Sequence, residues 1–200
     1  MEWGWGYRIY RRIPFHPETA QAELPFFYTE LWFRMPVKTP PIDPGVRIGH
    51  VHLKVADLQR ALDFYVGVLG FELIQRYGTQ AAFISAGGYH HHIGLNTWES
   101  LGGSPPPRGS TGLFHTAILY PTRVTLADAL LRLINAGIEL DGASDHGVSE
   151  ALYLHDPDHN GVELYWDRPP EKWPRNPAGE LAMFTRALDL SALLKEAPPI

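Results

Sequence analysis

Two hundred residues with 44% apolar and 20% charged side chains and a formal charge of −5 describe a soluble globular chain with room for one domain and appendages. No apolar run approaches the roughly 20 residues of a bilayer span, no basic block invites nucleic acid or an anionic membrane, and the lack of cysteine excludes disulfides, thiolate metal sites and cysteine nucleophiles. The opening MEWGWGYRIYRRIPFHPETAQ lacks the basic-then-apolar order of a secretory leader, so the cytoplasm is the expected compartment.

In chain order, residues 1–45 come first, rich in Trp, Tyr and Phe and closed by the stiff MPVKTPPIDPG. Such aromatic content argues against a disordered tail. It predicts an arm packed on the domain or on a second copy in a homodimer. Residues 46–169 then show regular short strands and two helices. Residues 170–200 form a C-terminal extension, in which Leu181, Phe184, Leu188 and Leu193 approximate one helical face and predict a peripheral helix.

The regular part contains a repeat. IGHVHLKVADLQRALDFYVGVLGFELIQRYG and GLFHTAILYPTRVTLADALLRLINAGIELDG both read strand, helix, Gly turn, strand, and GFEL answers GIEL. In the first copy Asp57 caps the helix, Leu58, Leu62, Tyr65 and Leu69 form its apolar stripe, and Gly70 ends it. In the second, Leu126, Leu130, Leu133 and Ile134 form the stripe and Gly137 ends it. Further strands follow each helix, giving two βαβββ modules, 46–98 and 112–167, joined by ESLGGSPPPRGST. One module alone leaves a sheet face bare. The predicted fold is therefore α+β, with the paired βαβββ modules forming a curved mixed-sheet cup.

The polar residues on those strands carry the chemistry. His50 and His115 occupy matching points ahead of the two helices, and Glu163 sits in the last strand of the second module between Val162 and Leu164. If the paired sheets curl round a common cavity, three strands deliver two imidazoles and a carboxylate to one point. That is the ligand set of a 2-His-1-carboxylate centre with open positions, and a metal would remove the cost of burying the carboxylate. His90, His91 and His92 form a run that alternation divides between two faces, so at least one lines the cavity unless the run is a solvated strand edge. Asp156, Asp158 and Asn160 in DPDHNG are explained by a turn with side-chain hydrogen bonds, and His155 and His159 beside it are expected to be exposed.

IGHVHLKVADLQRALDFYVGVLGF, GGYHHHIGLNTWES, LFHTAILYP and SDHGVSEALYLHDPDHNGVELYWDRP resemble the vicinal oxygen chelate superfamily (glyoxalase, bleomycin resistance and extradiol dioxygenase proteins), in its catechol-2,3-dioxygenase-like branch. The resemblance covers roughly residues 46–170. It implies metal ligation by His50, His115 and Glu163, with Fe(II) binding the catecholate and O2 together. It also implies that Tyr153, ten residues before Glu163, hydrogen-bonds the substrate, and that His146 or a histidine of the 90–92 run, His92 foremost, moves protons. The spacing of His146 to Tyr153 differs from that in the larger enzymes, many of which carry four modules where this chain has length for two. The expected activity is extradiol cleavage of a small catechol-like aromatic diol, with Fe(II) as cofactor and Mn, Zn, Ni or Co as alternatives. The competing readings are a glyoxalase-type isomerase, lyase or transferase, and a non-catalytic protein that binds a small molecule or drug in the cup.

Overall fold

In the computed structural model, which describes residues 40–199, each repeat folds as a strand, a helix and three further strands. The aromatic arm predicted over residues 1–45 lies outside the described residues as far as position 39. In the first repeat β1 (Val51–Lys54) leads into α1 (Leu58–Leu62), which continues as a wider π-helical turn over Asp63–Val68. Asp57 starts the helix by accepting the Arg60 N–H at 3.0 Å. Strands β2 (Glu72–Tyr77), β3 (Ala81–Ser85) and β4 (Ile93–Asn96) complete a sheet of order β1-β4-β3-β2, in which only the β1–β4 pair is parallel.

The second repeat has the same plan. Strand β5 (Thr116–Leu119) is followed by α2 (Arg123–Asn135), β6 (Gly142–Asp145), β7 (Ser149–His155) and β8 (Gly161–Asp167). Their order is β5-β8-β7-β6, again with one parallel pair, β5–β8. Thr122 and Thr125 cap α2 reciprocally, each side chain bonding the other's backbone N–H. The α+β architecture of paired βαβββ modules is thus what the repeat predicted.

One apolar core runs through both modules. Leu58, Leu62, Tyr65 and Leu69 meet Leu126, Leu130 and Leu133 in it, all no more than 7% exposed. Each such leucine stabilises the fold by about 1.5–3 kcal/mol. Ile134, assigned to the buried stripe, is instead 51% exposed. It lies on the last turn of α2, where the stripe has rotated past the sheet.

The DPDHN turn joins the modules. Asp158 accepts the Ala56 N–H at 3.0 Å and Arg60 at 2.6 Å, while Asp156 receives the Tyr65 hydroxyl at 3.1 Å. Asp156 also holds the turn itself, accepting the backbone N–H groups of Asp158 and Asn160 at 2.8 Å. His155 and His159 are exposed beside it.

The C-terminal extension departs from expectation. The helix predicted over residues 178–197 is confined to α3 (Leu190–Leu194), and residues ahead of it run extended to form β9 (Arg186–Ala187) on the free edge of β6. The backbone donors and acceptors of that edge outweigh the helical spacing of Leu181 and Phe184, which was approximate. Leu193 alone of that spacing is fully buried, so α3 contributes to the core.

Arg168, at the end of β8, bonds Asp145 at 2.6 Å and Glu150 at 2.7 Å. Burial opposes ionisation of Asp145, but the Gly147 N–H and the Arg168 guanidinium outweigh it and hold this carboxyl below its ordinary 3.8. The unfolded chain therefore binds the proton more readily than the folded one. This contribution to stability is complete above pH 3.8 and is lost as pH falls through the lower folded value. The Asp145→Asn variant is expected to show a shallower acid-side decline in denaturation midpoint than the parent, which a pH series of urea titrations measures.

Candidate active site

Register places four chemically active side chains on one face of the second sheet. Glu163 on β8 lies directly opposite Tyr153 on β7 and Ala117 on β5. His115, two residues before Ala117, falls on the same face as Glu163. Tyr153 in turn faces Gly142 on β6, so His146, four residues beyond Gly142, shares this face. The alternate residues Leu152, Leu154, Val162 and Leu164 point the other way into the core. The carboxylate of Glu163 is thus held on its strand by the leucine and valine that flank it.

The four groups form a continuous chain of contacts. His115 Nε2 lies 2.9 Å from Glu163 Oε2, Tyr153 donates its hydroxyl to Glu163 Oε1 at 3.0 Å, and His146 Nε2 lies 2.8 Å from the Tyr153 oxygen. Burial, then the hydrogen bond and negative charge of Glu163, push the Tyr153 hydroxyl up to about 12. The phenol stays protonated at neutral pH and serves as a donor.

A close backbone approach sets the His115–Glu163 contact. A Cβ on Gly161 would lie 2.1 Å from the Phe114 carbonyl oxygen and 3.1 Å from the His115 Cβ. Only glycine lets β5 and β8 begin side by side there. Gly161→Ala is expected to cost at least about 1–3 kcal/mol by overpacking and to displace His115. A fall in the denaturation midpoint together with a changed His115 imidazole signal in NMR would show both effects.

The other candidates gather on the first sheet. His50 precedes β1, and its ring centroid stands 4.4 Å from that of His91. His91 abuts His90, Nδ1 to Nδ1 at 2.8 Å, and lies 5.0 Å from Phe83. His52 packs over Gly94 and is 5.5 Å from Trp98. His92 uses Nδ1 to accept the Ala86 N–H at 3.3 Å and contacts Ser85 Oγ at 2.9 Å. Residues 90–92 precede β4, so strand alternation does not govern them, and His90 and His91 end up together. Burial, and next to it the charge of His50, lower the pKa of both His52 and His91.

His115 and Glu163 suit a divalent ion, since an imidazole nitrogen and a carboxylate oxygen already converge and, among the described residues, no Lys or Arg pairs with the carboxylate. His50 stands apart with the other histidines, and among the described residues no three His, Asp or Glu side chains converge to hold an ion. Of the three residues expected to converge, the structure brings His115 and Glu163 together.

Sequence reasoning missed what holds His146. Its Nδ1 lies 3.2 Å from the Phe184 carbonyl oxygen and 3.2 Å from Thr185 Oγ1, in the segment expected to be helical. No local signal could have found a contact spanning 38 residues. The free edge of β6 was the one available hint.

The sheet order and the site face define a protein of the glyoxalase and dioxygenase class. The chain belongs to the Glyoxalase/Bleomycin resistance protein/Dioxygenase superfamily, whose model matches residues 47–164. It is 43% identical over 157 residues to the catechol-2,3-dioxygenase of Bacillus subtilis (strain 168), a match covering 78% of this chain and 54% of that protein. It is 35% identical over 123 residues to biphenyl-2,3-diol 1,2-dioxygenase 3 of Rhodococcus globerulus, covering 60% of this chain and 63% of that one. The chain thus spans between about half and under two thirds of these relatives. A crystal structure of a glyoxalase/dioxygenase from Nostoc punctiforme superposes with a TM-score of 0.54 at 20% identity, over 66% of this chain and 99% of that one, which shows the shared fold. No helix among the described residues is long and apolar enough to cross a membrane.

Proposed function

We propose that this protein is an extradiol dioxygenase that cleaves the ring of a small catechol-like diol with O2. The observation that carries the reading is the unbroken contact chain His115–Glu163–Tyr153–His146 on one sheet face, in a chain similar to a catechol-2,3-dioxygenase. In this reading His115 and Glu163 would hold a divalent ion, Fe(II) for this chemistry, and His50, which stands apart from them in this structure, is the third ligand that the resemblance implies. Bound there, such an ion would supply Lewis acidity towards the diol oxygens and open positions for O2.

The chain's own residues then have defined tasks. Tyr153, kept protonated by burial and by Glu163, donates a hydrogen bond and positions the ring. His146 is the base for a diol proton at Nε2 and returns it to the product. His92 is a second acid/base candidate: Nδ1 accepts the Ala86 N–H, which leaves a proton on Nε2 to donate. The exposed histidines and Phe83 of the first sheet supply an aromatic surface for the substrate.

Metal analysis of protein purified without air, followed by catechol addition in oxygenated buffer, tests the reading. Iron near about one per chain, with catechol-dependent oxygen uptake and a yellow ring-cleavage product, is the expected result. Another divalent metal with no oxygen uptake would replace it with a glyoxalase-type isomerase or transferase, and ligand binding indifferent to chelator would replace it with a binding protein.

A further inference from the structure

His146 is gripped from outside the strands of its own sheet. The segment 174–187 crosses the edge of β6, where Ser144 and Asp145 pair with Ala187 and Arg186. Phe184 clasps His146 at two points: its N–H donates to the His146 carbonyl at 3.2 Å, and its carbonyl faces His146 Nδ1 at 3.2 Å. The segment fits closely. A Cβ on Gly147, which has φ +78°, would lie 2.6 Å from the Phe184 ring and 2.8 Å from Pro174, and Arg186 stacks over Phe184 at 4.3 Å. The 174–187 segment itself lies beyond residue 164, where the superfamily model ends.

Proton accounting gives that grip a chemical meaning. A carbonyl oxygen only accepts, so Nδ1 must carry a hydrogen to satisfy Phe184, and Thr185 Oγ1 shares it in a three-centre contact. A backbone carbonyl on Nδ1 fixes which nitrogen of a neutral imidazole is free. That nitrogen is Nε2, the one facing Tyr153. Tyr153 has one hydrogen for two acceptors, Nε2 and Glu163 Oε1. In the structure it points to Glu163 Oε1, and it can turn to Nε2 while His146 is neutral. When Nε2 holds a proton, the imidazolium donates to the phenol oxygen and the phenol hydrogen turns to Glu163.

We propose that the 174–187 segment, through the Phe184 carbonyl and the Thr185 hydroxyl, holds His146 in the Nδ1–H form with Nε2 directed at the site, and that Thr185 is a positioning residue for proton transfer. The second half of this statement rests on the reading of His146 as the acid/base. One diol hydroxyl gives its proton to Nε2, leaving a diol monoanion and an imidazolium, and the same proton returns to the product. The segment therefore completes a site that the two modules by themselves leave loose.

The test combines a spectrum and a rate. Imidazole nitrogen NMR of the intact protein, with the His146→Asn variant to assign the signal, is expected to show Nδ1 protonated and Nε2 bare in neutral His146. Thr185 is exposed, so its variants fold. With the Phe184 carbonyl alone left on Nδ1, Thr185→Val should raise the share of the Nε2–H form and lower kcat for catechol cleavage up to about tenfold, the loss of about one hydrogen bond, with KM within about twofold. Thr185→Ser should restore both. Nε2–H as the parent form, or a Thr185→Val variant with unchanged tautomer and kcat, would overturn the proposal. A parent with the expected tautomer and Thr185 dependence but no ring cleavage would remove the dioxygenase reading and leave the grip of the segment on His146. Ring cleavage without the tautomer dependence would remove the proposal alone.

Discussion

On the proposed dioxygenase reading, with Glu163 as a metal ligand, Glu163→Gln is expected to abolish ring cleavage while leaving the fold intact. Glutamine has the shape of glutamate, and its carbonyl oxygen can still accept the Tyr153 hydroxyl that Glu163 receives at 3.0 Å. It has no negative charge to neutralise a divalent ion and offers an amide towards His115 Nε2, now 2.9 Å from a carboxylate oxygen. Replacing outer partners of a metal site costs 10–100-fold in affinity or activity, so loss of a ligand should exceed about 100-fold in both bound iron and turnover. The Val162 and Leu164 side chains that fix β8 are untouched and almost fully buried, so the denaturation midpoint should hold. Parallel measurement of iron, oxygen uptake and urea midpoint separates the effects. A variant retaining full iron and full turnover would remove Glu163 from the ligand set.

The largest loss of stability is expected at a residue with no part in the chemistry. Glu150 on β7 is 5% exposed and receives Arg123 at 2.7 Å and Arg168 at 2.7 Å. Arg123 opens α2 and also pairs with Glu196 beyond α3, while Arg168 ends β8 and reaches Asp145 on β6. Removing the carboxylate leaves two guanidinium groups facing a buried gap. Breaking a buried pair in this way costs about 3–5 kcal/mol, and partial exposure of both arginines favours the lower end. Urea titration of Glu150→Ala should show it. Asp128→Asn is a control: the Asp128–Arg132 pair is exposed along a helix face, and its loss should stay within about 0.5 kcal/mol.

The fold was legible because its information is local and repeated. Asp57, Gly70 and Gly137 punctuate two helices at matching places in the repeat, and the stripes Leu58–Leu62–Tyr65 and Leu126–Leu130–Leu133 face one core. The spacing of Tyr153 and Glu163 came from the resemblance, and the register of β7 on β8 sets the two opposite each other. The C-terminal segment was not legible, because its structure is dictated by the open edge of β6 and by Phe184 seated on Gly147, contacts with no trace in nearby sequence. The histidine run failed for a related reason. Period-two reasoning presumes a strand, and residues 90–92 precede one. His50 shows the limit most clearly: matched position in a repeat predicts equivalent placement within each module, and says nothing of how far apart the two placements lie.

The turn at residues 156–160 looks like an ordinary surface connection, the sort of place where chains gain and lose residues freely. Its tip is nonetheless hooked into the other module by Asp158 on Ala56 and Arg60 and by Asp156 on Tyr65. The two strands leaving it carry Tyr153 and Glu163 face to face. A single added residue would release the hook on one side or shift the register of the pair on the other. This short connection is thus a ruler, and its length sets the distance between the core of one module and the reactive groups of its neighbour.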